Sequence, residues 1–443
     1  MEWVADKNAT ACPTYNVYRY AVWLYVILLV FEGALRKWVL PSLATPLLVV
    51  RDPIAIWLVV EGLRRKWFVS PYFRVMMIAA TLSFFLTLVA GHHNLLVALF
   101  GWRIYFFHFP MILVIGKVLA RDELLRMLRF FLYLSVPMTL LVVVQFYSPD
   151  TAWVNIGVGG EGTAGFGGAM GYMRPPGTFS FTSGYVAFQG IVGCSMLYYL
   201  AANRTLDERN RMNDWALALV LVCYLIAIPT SISRTNLFQS AVFVAFLLLA
   251  AVLKREWCNR VVLFVLAGIA AVALLGYSGI ADTSMEVFNA RFESANEAEG
   301  GLARGVIGNR YFGGYLEALF GGADMPVFGY GLGLGTNAGA SLMGGDMYAF
   351  GFNGEVEWQR VIGECGFILG LVIIGVRLLF SLDTLKHAYM RLTERADLLP
   401  WMMAAGMMLT VPQGQWAIPA NLGFCVLAGG FVLSAVRTSQ AKP

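Results

Sequence analysis

Apolar residues run along this chain in long blocks, and polar residues gather in the gaps between them. From Tyr18 onward, predominantly apolar stretches near the length needed to cross a bilayer, about 20 residues, recur to the end of the chain. Within the blocks the apolar positions are continuous and do not alternate with period two. In lipid only helices and closed barrels satisfy their own backbone, and continuous blocks select helices. The pattern predicts an all-α polytopic integral membrane protein with roughly twelve transmembrane helices. Their expected limits are 18–35, 44–61, 73–90, 95–118, 125–147, 178–202, 215–231, 236–253, 261–279, 358–381, 398–412 and 417–436. Residues 1–443 are expected to form a single transmembrane domain, with 280–357 as a long loop between the ninth and tenth spans. The first apolar run lacks a small-residue cleavage site and is followed by further spans, so it is expected to be a membrane helix and not a signal peptide.

Composition agrees: 58% of residues are hydrophobic and 13% charged, against roughly 25% charged in soluble domains. The formal net charge of +5 is no nucleic-acid signal, because in a membrane protein the side on which each charge falls matters more than the sum. Cys12, Cys194, Cys223, Cys258, Cys365 and Cys425 match no metal or redox spacing, so neither a metal site nor a cofactor is expected. No G-x-x-x-x-G-K-[ST] loop is present, which argues against an ATP-driven pump.

With a cytoplasmic N-terminus, most of the 32 Lys and Arg residues fall on the inner side, among them Arg64, Arg65, Lys66, Arg121, Arg126, Arg129, Arg204, Arg209, Arg211, Arg377, Lys386 and Arg391. That excess predicts both termini inside and the long loop outside. Trp38, Trp102, Trp153, Trp358 and Trp416 then lie at outer span ends, where tryptophan favours the interface.

The exceptions are Arg36, Lys37, Arg51, Arg103, Arg174, Arg234, Arg291, Arg304, Arg310 and Arg360. Arginine offers a planar fork that holds phosphate bidentately and stays charged at any working pH. Outward arginines beside a bilayer therefore point to an anionic headgroup, and each also has a structural explanation. Arg36 lies four residues after Glu32, a favourable helical pair. Lys37 is expected to snorkel to the interface. Arg51 sits about 10 Å into its span at 1.5 Å per residue, with Asp52 on another helical face, so it needs a partner elsewhere. Arg103, in "GWRIYFFHFP", is similar. Arg291 and Arg304 lie among acidic residues and are expected to be solvated, as are His92 and His93. Arg234 and Arg174 have no acidic neighbour in sequence, and Pro175 and Pro176 restrict the backbone beside Arg174.

The long loop has organisation of its own. "VIGNRYFGGYLEALF" reads as an amphipathic helix carrying Arg310, with Ile307, Tyr311, Tyr315 and Leu319 recurring at i+4. "PVFGYGLGLGTNAG" alternates glycine at 329, 331, 333 and 335. It lacks the strand and helix of a dinucleotide loop, so the glycines are expected to let the backbone approach another segment or a sugar closely. In "FNGEVEWQRVIGECGFILG", Glu357, Arg360 and Glu364 share one helical face. They form either a structural charge ladder or part of a site.

These stretches together resemble the superfamily of O-antigen ligases and Wzy-type O-antigen polymerases. "RPPGTFSFTSGYVAF" is similar to its arginine, glycine and polar turn before a span, and "SISRTNL" to its serine–arginine turn. "NRYFGGYLEAL" with "PVFGYGLGLG" resembles the arginine helix and glycine-rich segment of its long periplasmic loop, and "EWQRVIGECGFILG" the loop's exit. "FEGALRKWVLP" with "RDP" looks like the start of a polymerase-like branch. The resemblance implies a bacterial inner-membrane, metal-independent, inverting glycosyltransferase. Its donor would be an undecaprenyl-pyrophosphate-linked glycan at the periplasmic face, and its acceptor a glycan or lipid-linked hydroxyl. Carried onto this chain, Arg174, Arg234 and Arg310 would hold the pyrophosphate, with Arg51, Arg103 and Arg360 behind them. Ligases commonly carry His-Asn at the loop exit; here the matching positions leave Glu357 or Glu355 as the general base. The alternative is a lipid-linked glycan flippase or other secondary transporter. An even number of spans suits it, but no internal repeat between the halves supports it.

Overall fold

The computed structural model describes residues 13–163, 166–258, 281–299, 326–344 and 356–439, with isolated positions between 261 and 279. Arg304, Arg310, Glu355, the expected amphipathic helix and most of the expected ninth span lie outside the described residues.

The helices are α1 (Pro13–Ala34), α2 (Asp52–Arg64), α3 (Pro71–Val89), α4 (Leu95–Arg103), α5 (Phe109–Val118), α6 (Arg121–Tyr147), α7 (Thr182–Ala202), α8 (Asp214–Thr230) and α9 (Arg234–Leu253). They continue with α10 (Asp282–Glu299), α11 (Asn337–Leu342), α12 (Glu357–Cys365), α13 (Phe367–Arg395), α14 (Leu398–Thr410) and α15 (Pro419–Arg437). Among the described residues 10 helical stretches are long and apolar enough to cross a membrane. The protein is thus an all-α multi-pass membrane protein with about ten long apolar helices. Of the expected spans, 261–279 falls outside the described residues, and α14, at 13 residues, is shorter than a span.

The core is built by α5, α7 and α15, whose faces are buried nearly all round. A Cβ on Gly429 or Gly430 would come within 2.8 and 2.5 Å of Ile112 and Ile115 on α5, and one on Gly116 within 2.6 Å of Leu433. Small residues let helices in lipid approach closely and gain van der Waals contact.

Three helical blocks are broken where their composition stays apolar. The expected span 44–61 begins as short turns over 41–51, and only α2 is a regular helix. The span 95–118 is one stretch but carries a π-helical turn over Ile104–His108. Pro110 follows it and has no N–H for the carbonyl of Phe106, a vacancy the wider turn accommodates. The span 358–381 divides into α12 and α13 at Gly366, whose φ is 77° and whose Cβ would lie 2.2 Å from the carbonyl oxygen of Val327. Only glycine fits there.

The exception to all-α is one antiparallel hairpin, β1 (Phe166–Ala169) and β2 (Tyr172–Arg174), with Phe166 opposite Arg174. Met170 and Gly171 turn it at φ 52° and 80°, the left-handed pair that a two-residue hairpin requires.

The segments joining α1 to α2, α3 to α4, α6 to α7 and α14 to α15 meet at one end of the bundle, together with 326–344 and 356–366. Trp38 donates from Nε1 to the Trp153 carbonyl at 3.1 Å. His92 bonds the Leu332 carbonyl at 3.0 Å, and Trp358 the Pro412 carbonyl at 3.1 Å.

Candidate functional site

The loop end of the bundle holds two separate networks of buried charge. The first grows from the break between α1 and α2. Glu32, on the last turns of α1, accepts from Arg51 Nε at 3.2 Å through Oε2 and from Arg36 Nη1 at 3.4 Å through Oε1. Arg51 also donates to the Tyr25 hydroxyl at 3.4 Å and to the Pro419 carbonyl at 2.6 Å. Asp52, the first residue of α2, receives Arg103 Nη1 on both oxygens at 2.8 Å. His108, brought round by the π-helical turn, meets Asp52 through Nε2 at 3.0 Å and the Tyr25 hydroxyl through Nδ1 at 3.1 Å. Lys37 completes the cluster, donating to the carbonyls of Gly177 and Phe179 at 2.7 and 3.0 Å. It does not snorkel: it is buried, and the 177–181 segment lies over it.

Three arginines (Arg36, Arg51 and Arg103) therefore face two carboxylates (Glu32 and Asp52), which leaves one positive charge uncompensated within the network, while Lys37 beside it is held by carbonyls alone. Nε of Arg103 is buried without a hydrogen-bond partner. Buried donors are normally satisfied, so this guanidinium retains capacity for an acceptor.

The second network surrounds α12. Arg360 donates to Glu357 through Nε at 3.1 Å and Nη2 at 2.9 Å, to Glu364 through Nη1 at 2.7 Å, and to the Tyr105 hydroxyl at 3.0 Å. Arg377 reaches back from α13 to Glu357 Oε1 at 2.5 Å and holds the Val411 and Gly414 carbonyls. The backbone N–H of Trp416 donates to Glu357 Oε2 at 3.1 Å, and the Arg377 guanidinium lies 4.2 Å from the centre of the Trp416 ring. Two arginines meet two carboxylates, all fully or almost fully buried.

The two networks differ in what they can bind. A carboxylate has about four acceptor sites, and those of Glu357 take two donors on each oxygen. No acceptor position is left over for a substrate hydroxyl in this arrangement. Arg360 is likewise neutralised by its own helix, so the i, i+3, i+7 spacing builds a structural ladder. Arg377, expected on the inner side, is instead buried in this network, because Glu357 folds back to it across the Gly366 break.

The glycine-rich segment is the strap that ties this network to the helices beside it. Leu332 N–H donates to Thr87 Oγ1 at 2.9 Å, and Gly335 N–H to Glu364 Oε1 at 2.8 Å. A Cβ on Gly101 would sit 2.3 Å from the Gly333 nitrogen, and one on Gly335 2.4 Å from Arg360 Cγ. The alternating glycines thus serve close backbone approach to other segments. His92 is part of the strap and is not solvated. Its Nδ1 accepts from Asn94 N–H at 3.0 Å, which leaves Nε2 to donate to Leu332. His93 is exposed, as expected.

Arg174 on β2 and Arg234 at the start of α9 lie on elements gathered around a third feature, the apolar cluster of Phe146, Ile232 and Val287 with Ala169 and Tyr172. Arg291 is on α10, which carries Val287. The expected arginines are therefore distributed over three places: Arg51 and Arg103 in the first network, Arg360 in the second, and Arg174 and Arg234 near the third.

Sequence spacing alone missed Tyr25, Asp52, Tyr105 and His108 as network members. The available signal was the polar "RIYFFH" ahead of Pro110, inside an otherwise apolar block.

No family model matches the chain, and neither a curated protein nor a solved structure matches it.

Proposed function

We propose that the protein is an inner-membrane glycan polymerase or ligase. It would transfer an undecaprenyl-pyrophosphate-linked oligosaccharide to a glycan hydroxyl at the periplasmic face. The observation that carries this reading is the convergence of three separated stretches on one charge-rich site. "FEGALRKWVLP" supplies Glu32, Arg36 and Lys37, "RDP" supplies Arg51 and Asp52, and "RPPGTFSF" supplies the Gly177 and Phe179 carbonyls held by Lys37 and the Ser180 hydroxyl held by Arg36 at 3.1 Å. These are three of the stretches on which the resemblance to the polymerase and ligase superfamily rests.

The chemistry follows from the excess charge. When the anomeric carbon leaves its phosphate oxygen, negative charge grows on the departing pyrophosphate, and preorganised cations stabilise it most in a site that excludes water. A network of three arginines on two carboxylates, with a surplus positive charge, can do this; the balanced Glu357–Arg360 network cannot. The acceptor hydroxyl gives up a proton as its oxygen bonds to the anomeric carbon. With the Glu357 oxygens occupied, the proton acceptor in this reading is Glu355 or another group of the long loop, and Glu357 positions the loop exit.

The test is reconstitution in liposomes with purified lipid-linked repeat units. Joined glycan is the expected product, with loss of joining in Arg103→Gln and Arg51→Gln at normal protein levels. Translocation of the lipid-linked unit without joining would establish the flippase reading instead.

A further inference from the structure

The break between α1 and α2 has a geometry that the charge network alone does not explain. Helix α2 has 13 residues, which span about 20 Å at 1.5 Å per residue. The hydrocarbon core is about 30 Å thick. The remaining third falls to segment 40–51, "LPSLATPLLVVR", which is a 3-10 turn over Pro41–Leu43, a single α-helical turn over Ala44–Leu47 and further turns to Arg51, not a regular α-helix. Irregular backbone at membrane depth is tolerated where its polar groups are satisfied. Here Pro41 and Pro46 have no N–H, and short turns pair Leu48, Val49 and Val50 with the carbonyls of Thr45, Pro46 and Leu47. The carbonyl of Ala44 is taken by Arg36 Nε at 2.7 Å.

The outward side of the segment is apolar and open. Val39 is 63% exposed, Leu40 40%, Leu43 46% and Val49 36%. Directly behind it stands Arg36, the only one of the three network arginines with more than a tenth of its side chain exposed, at 12% against 3% for Arg51 and 8% for Arg103. An apolar surface at hydrocarbon depth thus adjoins a partly accessible guanidinium in a network with surplus positive charge. That combination matches an amphiphile with an anionic phosphate head and a hydrocarbon tail.

We propose that segment 39–50 is the port at which the tail of a phosphate-headed lipid docks from the bilayer, and that Arg36 is its latch. The phosphate competes for the Arg36 guanidinium, as charge-assisted phosphate contacts are stronger than a bond to a neutral carbonyl. Arg36 then releases Ala44, and the segment yields to admit the headgroup toward Arg51 and Arg103. The proposal rests on the reading of the site as one for a lipid-linked pyrophosphate.

The experiment uses the full chain in nanodiscs of neutral phospholipid, with a photo-crosslinking benzophenone amino acid at Leu43 or, as control, at Leu82, another exposed apolar position, on α3. The probes are undecaprenyl pyrophosphate, undecaprenol without a headgroup, and inorganic pyrophosphate. The expected result is crosslinking of undecaprenyl pyrophosphate at 43 above the level at 82. Undecaprenol should label both positions equally, and the enrichment should be lost in Arg36→Gln. Ser42→Trp, which narrows the port without touching the network, keeps the test independent of folding defects in the arginine variant; it should also remove the enrichment. Equal labelling of 43 and 82 by undecaprenyl pyrophosphate, with joining activity intact, overturns the port and leaves the glycosyltransferase reading standing. No enrichment together with no joining and no saturable binding of undecaprenyl pyrophosphate overturns both. Enrichment that survives Arg36→Gln overturns the latch.

Discussion

Replacing Glu357 by glutamine separates a structural role from a catalytic one. The substitution keeps the shape and removes the charge. Arg377, fully buried, loses its carboxylate partner, and Arg360 keeps only Glu364. One glutamine oxygen can still accept, but the amide nitrogen faces donors: Arg360 Nε and the Trp416 N–H where it takes the place of Oε2, or Arg360 Nη2 and Arg377 Nη1 where it takes that of Oε1. Breaking a buried ion pair on one side costs about 3–5 kcal/mol, because an uncompensated charge stays behind. Arg377→Met should cost a similar amount by a different route, since Glu357 keeps Arg360. Its loss falls on the Val411 and Gly414 carbonyls, at about 1–3 kcal/mol for each acceptor left unsatisfied.

The double variant Glu357→Gln/Arg377→Met leaves the balanced pair Arg360–Glu364. It should be less destabilised than the sum of the single variants by about 1–3 kcal/mol, the range of coupling between residues in contact. Unfolding equilibria in mixed micelles measure all three, with glycan joining followed in parallel. If Glu357→Gln leaves stability within about 0.5 kcal/mol of the parent, the ordinary range for inconsequential substitutions, and the cycle is additive, the buried-lock account is wrong. Loss of joining at unchanged stability would then return Glu357 to the role of general base.

Gly101→Ala places a methyl group against the Gly333 backbone at 2.3 Å; overpacking of this kind costs about 1–3 kcal/mol, and limited proteolysis should show faster cleavage within 326–344. Lys37→Met strips the donor from the carbonyls of Gly177 and Phe179. A loss of about 1–3 kcal/mol per unsatisfied acceptor should appear as lower stability and earlier cleavage near 177–181. Cys365 is buried at the end of α12, so a variant retaining only that cysteine should resist maleimide at pH 8 in the folded state and react once unfolded. Rapid labelling of the folded protein would show that α12 is not packed as described.

Much of the bundle is legible in the order of residues, because lipid imposes a block pattern that water does not. What composition conceals is a break inside an apolar block. Segment 40–51, the π-helical turn at 104–108 and the turn at Gly366 sit in blocks that stay predominantly apolar whether or not the backbone is helical, and only a few polar residues such as Arg51 and His108 mark them. Local pairs are legible for a related reason. Glu32 with Arg36, and Glu357 with Arg360 and Glu364, follow helical spacing, and the structure joins each of them. Arg377 defeats the orientation rule because its carboxylate lies across Gly366 on another helix. Asp52, Arg103 and His108 come together only through the packing of α2 against the π-helical turn.

An arginine's meaning in this protein therefore depends on the charge balance around it and not on its position along the chain. Arg51, Arg103 and Arg360 look alike as isolated basic residues near span ends. Once folded, Arg360 is matched by two carboxylates, while Arg51 and Arg103 share two carboxylates with a third arginine, Arg36. A balanced network resists an incoming anion, because binding would leave a buried negative charge uncompensated. A network with surplus positive charge is relieved by one. The same accounting explains why the two networks stand apart yet are tied together. Tyr105 joins the π-helical turn of the cationic network to Arg360, and the turn before α15 receives Arg377 at Gly414 and Arg51 at Pro419. The neutral network can then fix the long loop's exit relative to the cationic one without drawing on its surplus charge.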